Sequence, residues 1–69
     1  MKRDTLNNLI VENMKTILGF SISRLQNMQE AEELASEIVY KLLLSGRNLR
    51  DEAKFYPFMW RVSENTYAD

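Results

Sequence analysis

Few residues in this chain of 69 interrupt a helix, and that constrains its fold more than any other feature. The sequence contains two glycines and one proline, so long helices joined by short loops are the expected architecture. A chain of this length forms at most one domain, near the lower size limit for folding without disulfides or metals. We therefore expect residues 1–69 to form one all-α domain, a small bundle of three to four helices.

The first helix is predicted by a stripe of apolar residues between Leu6 and Leu25. Spacings of three and four residues place these side chains on one face of a single amphipathic helix. Asp4 or Thr5 is expected to cap its start by accepting a backbone N–H bond. Gly19 lies inside the pattern, where it marks either a bend or a glycine that the helix tolerates.

A second helix is predicted to start at Asn27, because Glu30 follows three residues later in a spacing that resembles a capping box. The apolar pattern carries this helix to about Leu44. Its inner stripe consists of Ala31, Leu34, Ala35, Ile38 and Leu42. On the opposite face, Glu37 and Lys41 are spaced for an i,i+4 ion pair.

The acidic residues Glu30, Glu33 and Glu37 lie on neighbouring turns of that helix, a spacing in which carboxylates can bind metal or act as acid and base. Four-helix metal sites also use histidine, and the chain has none, so a solvated acidic face is the favoured interpretation. The absence of cysteine and histidine also excludes the common nucleophilic dyads and triads. We expect no enzyme activity, no metal and no cofactor.

The third predicted helix follows a loop at Ser45–Ala53 and begins near Lys54, because Pro57 must lie in the first turn, where no helical N–H bond is lost. One face carries a core stripe of Phe55, Phe58, Met59, Val62 and Thr66. A second stripe, displaced around the helix, consists of Tyr56, Trp60, Ser63 and Tyr67, with Arg61 and Asn65 in a polar row beside it.

The second stripe has two interpretations. Exposed aromatic rings near the cations Arg47, Arg50, Lys54 and Arg61 suit single-stranded nucleic acid, because bases stack on rings while cations follow the phosphates. Alternatively, Trp60 and Tyr67 cover a neighbouring helix that the chain lacks, and spacing alone slightly favours this.

The net charge and the hydropathy of the chain limit the kinds of partner and the cellular location that we expect for it. A formal net charge of −1 argues against a domain that grips duplex DNA by bulk charge, so any nucleic-acid contact must be local. No apolar run approaches the roughly 20 residues that cross a bilayer, and we expect no membrane partner. The lack of cysteine fits a reducing cytoplasm, the expected location.

Two stretches together resemble a known family. The first reads E-A-E-E-L-A-S-E-I-V-Y-K-L-L from Glu30 to Leu43, and the second reads F-Y-P-F-M-W-R-V-S-E-N-T-Y-A-D from Phe55 to Asp69. At this separation they resemble region 2 of bacterial RNA polymerase sigma factors, nearest the extracytoplasmic-function class. Family members typically carry D-A-E-D-L-x-Q-E-x-F-x-K-L-W and then F-x-x-W-L-x-R-I-A-x-N-x-A-x-D. This chain departs from that pattern at Ser36, Leu43, Phe58 and Glu64.

The resemblance implies two activities for one helical domain: docking on the clamp coiled coil of the polymerase largest subunit, and capture of the melted non-template strand of the promoter −10 element. The docking positions carried over are Glu33, Ser36, Glu37 and Tyr40. The DNA-contacting positions are Asn65, Arg61 and Trp60 on the last helix, and Asn48, Leu49 and Arg50 in the loop before it. Asn65 matches the family asparagine that reads a base, and Asn48 with Leu49 would wall the base pocket.

The resemblance also bears on the surroundings of the domain. Family members continue into a second, helix-turn-helix domain, so residues 1–69 are expected to be the N-terminal part of a longer two-domain protein. An anti-sigma factor is a further partner that the family allows. The alternative to a sigma domain is a helical protein-interaction module of a sigma-like regulator without DNA binding, which the acidic balance and the missing basic tail support.

Overall fold

A computed structural model describes all residues, 1–69, and contains only helices and loops. The four α-helices are α1 (Arg3–Glu12), α2 (Met14–Arg24), α3 (Met28–Ser45) and α4 (Phe55–Ala68). Two single turns of 3-10 helix, Gly46–Asn48 and Glu52–Lys54, lie in the loop between α3 and α4. The expected all-α bundle is confirmed, with four helices. None of them is long and apolar enough to cross a membrane.

The longest helix, α3, contacts each of the other three and forms the centre of the bundle. One cluster of buried apolar side chains makes the core, with members from every α-helix. Its members are Leu6, Ile10, Ile17, Phe20, Leu34, Ala35, Ile38, Leu42, Phe55 and Met59. The helices are therefore held mainly by apolar burial, at about 25 cal/mol for each Å² removed from water.

The N-terminal segment forms two helices rather than the single one expected, because the chain turns at Asn13. The Asn13 side-chain amide donates to the Leu9 carbonyl at 2.7 Å, and its backbone N–H donates to the Ile10 carbonyl at 3.0 Å. Asparagine competes in this way with regular helical bonding, which ends α1. Gly19 lies inside α2 with no positive φ, so of the two alternatives it is a glycine that the helix tolerates, and the break in the segment lies at Asn13.

The start of α1 also differs from expectation. The helix begins at Arg3, Lys2 precedes it as the capping residue, and no side chain accepts a capping bond there. Asp4 and Thr5 are thus not caps. Asp4 lies in the first turn instead, where its negative charge interacts favourably with the helix dipole.

The bounds of α3 agree with the prediction, although one ion pair does not. Asn27 Oδ1 accepts the Glu30 backbone N–H at 3.0 Å, which confirms Asn27 as the cap. The expected pair between Glu37 and Lys41 is absent. Lys41 Nζ instead lies 3.4 Å from Asp69 Oδ2, because the half-buried lysine reaches towards the end of α4.

Helix α4 begins at Phe55, directly after a 3-10 turn, which confirms the start inferred from Pro57. The predicted core stripe of α4 is buried or half-buried throughout. Ser63, however, is 1% exposed and its hydroxyl donates to the Met59 carbonyl at 2.8 Å. It therefore belongs to the core rather than to the exposed stripe with Tyr56, Trp60 and Tyr67. No buried polar side-chain atom lacks a hydrogen-bond partner.

Candidate functional site

The four predicted docking positions share the outward face of α3. Glu33, Ser36, Glu37 and Tyr40 are all exposed. At about 100° per residue they fall within about 100° of one another, on the side of the helix opposite the buried stripe. One helix therefore presents all four side chains on the same exposed side of the bundle.

This outward face of α3 changes character along its length. The first half is acidic, whereas the second half exposes Tyr40 at 61%, Leu43 at 39% and Leu44 at 50% of their surface. Neither Glu33 nor Glu37 takes part in either ion pair of the chain. The chain's carboxylates form no cluster that could hold a metal ion. A partner helix with cations near one end and apolar side chains near the other would match this face.

A groove between α2 and α3 adjoins the docking face and is a feature that the sequence reasoning missed. It encloses about 440 Å³ and is lined by Met14, Lys15, Leu18, Glu32, Ala35, Ser36 and Val39. Met14 and Leu18 belong to the apolar stripe between Leu6 and Leu25 that the sequence pattern placed on one helix face. Because the chain turns at Asn13, Met14 is left 45% exposed at the edge of the bundle.

A second groove lies between α4 and the loop before it. It encloses about 430 Å³ and is lined by Leu49, Asp51, Ala53, Lys54, Pro57, Phe58 and Arg61. The groove brings together Leu49 and Arg61, two residues that the resemblance implies for DNA binding. Lys54 and Phe58 join them, although the sequence reasoning assigned Phe58 to the core and did not place Lys54 at the pocket.

Local hydrogen bonds position the loop side of this groove. The backbone N–H of Leu49 donates to the Gly46 carbonyl at 3.1 Å, which closes the first 3-10 turn. Asp51 Oδ1 accepts the Ala53 N–H at 2.9 Å and starts the second turn. Besides these short-range bonds, the Met1 ammonium donates a hydrogen bond to the Leu49 carbonyl, which ties the loop to the N-terminus of the chain.

The remaining predicted DNA contacts lie outside the groove. Asn48 and Arg50 are exposed on the loop on either side of Leu49. Asn65 is exposed on α4 one turn beyond Arg61 and on the same row. All three are accessible, but none of them lines this groove, whereas Leu49 does.

Trp60 lies on a different side of α4 from the groove. At about 100° per residue, Trp60 and Asn65 are about 140° apart around the helix. The Trp60 ring packs against Phe20 of α2, with centroids 6.0 Å apart and planes inclined at 60°, and the residue stays 43% exposed. Trp60 is therefore both a packing residue and an accessible ring.

Comparisons of the chain with protein-family models, with curated proteins and with solved structures find no match. The resemblance of the two motifs to sigma region 2 thus stays a prediction. Its support is the pair of motifs in the sequence, together with the accessible positions that their residues occupy in the bundle.

Proposed function

We propose that this chain is a sigma region 2-like domain that joins core RNA polymerase to the promoter −10 element during transcription initiation. The observation that carries the proposal is the separation of two accessible surfaces. The outward face of α3 holds all four docking positions, while the groove beside α4 holds Leu49 and Arg61. A bridging factor needs two such surfaces, since both partners must bind at once.

The docking half of the proposal rests on the chemistry of α3. Glu33 and Glu37 are free of intramolecular ion pairs, so their carboxylates can meet basic side chains of the clamp coiled coil. Exposed carboxylates mainly set on-rate and orientation. Tyr40 and Leu44, which are exposed on the same face, supply the apolar part of the contact. Aromatic and aliphatic side chains that become buried in an interface carry most of its binding energy.

The DNA half rests on the groove. Leu49 and Phe58 offer an apolar wall for an unstacked base, and Lys54 and Arg61 place cations where phosphates would pass. Binding an unstacked base costs less free energy in a melted strand than in a duplex, because the bases of the melted strand are already unstacked. Asn65 is one turn from Arg61, and its amide can pair with a base edge.

Two substitutions on the separate surfaces test the proposal. Glu37→Lys reverses a charge on the docking face and should weaken binding to a purified clamp coiled-coil fragment by about tenfold, with single-stranded DNA binding retained. Arg61→Gln should do the opposite, because it removes a phosphate contact and leaves α3 unchanged. Glu12→Lys, an equal charge reversal on α1, is the control for the first. Wild-type clamp affinity in Glu37→Lys would place the docking surface elsewhere.

A second candidate is the protein-interaction module without DNA binding, and the groove between α2 and α3 favours it. This groove is apolar and open beside Ser36, so a protein partner could use it without any nucleic acid. Clamp binding together with no measurable DNA binding at low salt would select this candidate. Either function implies a cytoplasmic protein with core polymerase, or an anti-sigma factor, as its partner.

A further inference from the structure

We propose that Arg24 of α2 is a phosphate contact for a DNA strand whose base stacks on Trp60, and that Glu64 occupies Arg24 in the free protein. This inference rests on the proposed DNA binding and adds a contact on the second side of α4. It names a residue from the N-terminal half of the chain, outside both family-like motifs.

The contacts of Arg24 carry the first step. Its Nη2 lies 3.0 Å from Glu64 Oε1, and its Cζ lies 4.6 Å from the centre of the Phe20 ring and 5.9 Å from that of Tyr67. The guanidinium therefore lies among rings that belong to two different helices. Arginine stacked on aromatic rings is a recurrent element of single-strand binding surfaces.

Trp60 gives the second step, because it shares the Phe20 ring with Arg24. The Trp60 and Phe20 centroids are 6.0 Å apart, so the tryptophan and the guanidinium lie against the same ring. Trp60 and Tyr67 each keep 43% of their surface exposed. A base on the exposed part of Trp60 would bring the strand's phosphates near the guanidinium.

The third step concerns the competition between Glu64 and phosphate. The Arg24 side chain is 37% exposed and that of Glu64 is 55% exposed, and ion pairs with this much solvent contact are weak. A phosphate offers the guanidinium fork a bidentate partner and can displace the carboxylate. Glu64 therefore reduces affinity by occupying Arg24 as well as by repelling phosphate.

Substituting each partner of this ion pair in turn shows whether Arg24 contacts phosphate or only links α2 to α4 through a structural ion pair. Arg24→Gln and Glu64→Gln both remove the pair. If the pair is only structural, both variants should lose stability and DNA affinity together. A phosphate contact predicts opposite effects on DNA affinity. Thermal unfolding of each variant measures the shared structural effect separately from binding.

The binding assay is fluorescence anisotropy of the 69-residue chain with a labelled DNA single strand of about 12 nucleotides, titrated at several salt concentrations. Arg24→Gln should lower affinity about three- to tenfold and reduce the slope of log K against log salt by about 0.7, the value for one single-strand phosphate contact. Glu64→Gln should raise affinity about two- to fivefold, because it frees Arg24.

Two control variants correct for bulk charge. Lys15→Gln removes a cation from the other side of α2, and Glu12→Gln removes an anion from α1; neither residue takes part in an ion pair. Each control should change affinity less than its counterpart at the Arg24–Glu64 pair.

Three results would overturn the proposal. Equal changes in a control and its counterpart would reduce the effect to net charge. A loss of DNA affinity in both pair variants would show that Arg24 has only a structural role between α2 and α4. The proposed DNA binding would still stand in that case if Arg61→Gln also weakened it. No binding by the wild-type chain would remove the proposed DNA function, and this inference with it.

Discussion

Adding a methyl group at each of the two glycines tests how the loop that carries Leu49 is placed. Gly46 begins this loop and packs against α1. A Cβ built there would lie 2.6 Å from Leu6 Cδ1 and 3.1 Å from Leu6 Cδ2, whereas a Cβ on Gly19 would meet nothing within 4 Å. Neither glycine has a positive φ, so alanine at either position strains no backbone.

The magnitudes follow from that difference. Alanine in place of glycine at a helical position stabilises by about 0.5–1 kcal/mol, which is the expected gain for Gly19→Ala. At Gly46 the same kind of gain is offset by overpacking, because Leu6 is 1% exposed and belongs to the buried core cluster. Forcing an extra methyl into a packed core costs about 1–3 kcal/mol, so the middle of that range less the gain leaves a net loss of about 1 kcal/mol for Gly46→Ala.

Urea unfolding followed by circular dichroism measures both free energies of unfolding in one set of conditions. Thermal midpoints should separate in the same order, by about 4–8 °C for each kcal/mol in a domain of this size. A Gly46→Ala variant as stable as the wild type would show that the loop does not approach Leu6. Destabilisation by Gly19→Ala would show that α2 does not run straight through Gly19.

Three further outcomes are expected. Asn27→Ala should destabilise the domain by about 1 kcal/mol in the same urea assay, because it removes the oxygen that accepts the Glu30 N–H; no loss would mean that α3 does not depend on this cap. Asn65→Ala should weaken single-stranded DNA binding with unchanged far-ultraviolet circular dichroism, and equal affinity would remove Asn65 from the DNA surface. Wild-type DNA binding should be weak and should fall steeply with added salt, as few-phosphate contacts require; salt-insensitive binding in the same anisotropy assay would contradict that picture.

The C-terminal half of the fold was predictable because its signals are local. Asn27 caps α3 through a bond three residues away, and Pro57 restricts the start of α4 by its missing N–H. The core stripes of α3 and α4 follow from spacing along one helix. These elements needed no knowledge of their neighbours.

The N-terminal half was less predictable because a spacing pattern does not reveal a local break. The stripe from Leu6 to Leu25 continues through Asn13, and the asparagine ends α1 by a side-chain bond to Leu9 that periodicity does not detect. Ser63 shows the same limit in another form. Its hydroxyl is satisfied within α4, so a polar residue can lie in the core.

The candidate site was predictable only as separate residues. The sequence pattern indicated exposed aromatic rings and cations, but their partners depend on packing between distant segments. Arg24 meets Glu64 across the bundle, and Lys41 pairs with Asp69 rather than with its neighbour Glu37. Sequence spacing predicts which side chains are neighbours on one helix, whereas these contacts join different helices.

The most direct test of the proposed sigma activity is a titration of the clamp coiled-coil fragment of bacterial RNA polymerase into isotope-labelled protein, followed by backbone amide NMR. The proposal predicts shifts clustered on the outward face of α3, within residues 30–44, and largest near Glu33, Ser36, Glu37 and Tyr40. A folded domain that shows no shifts at high fragment concentration, or shifts centred on α1, would contradict it.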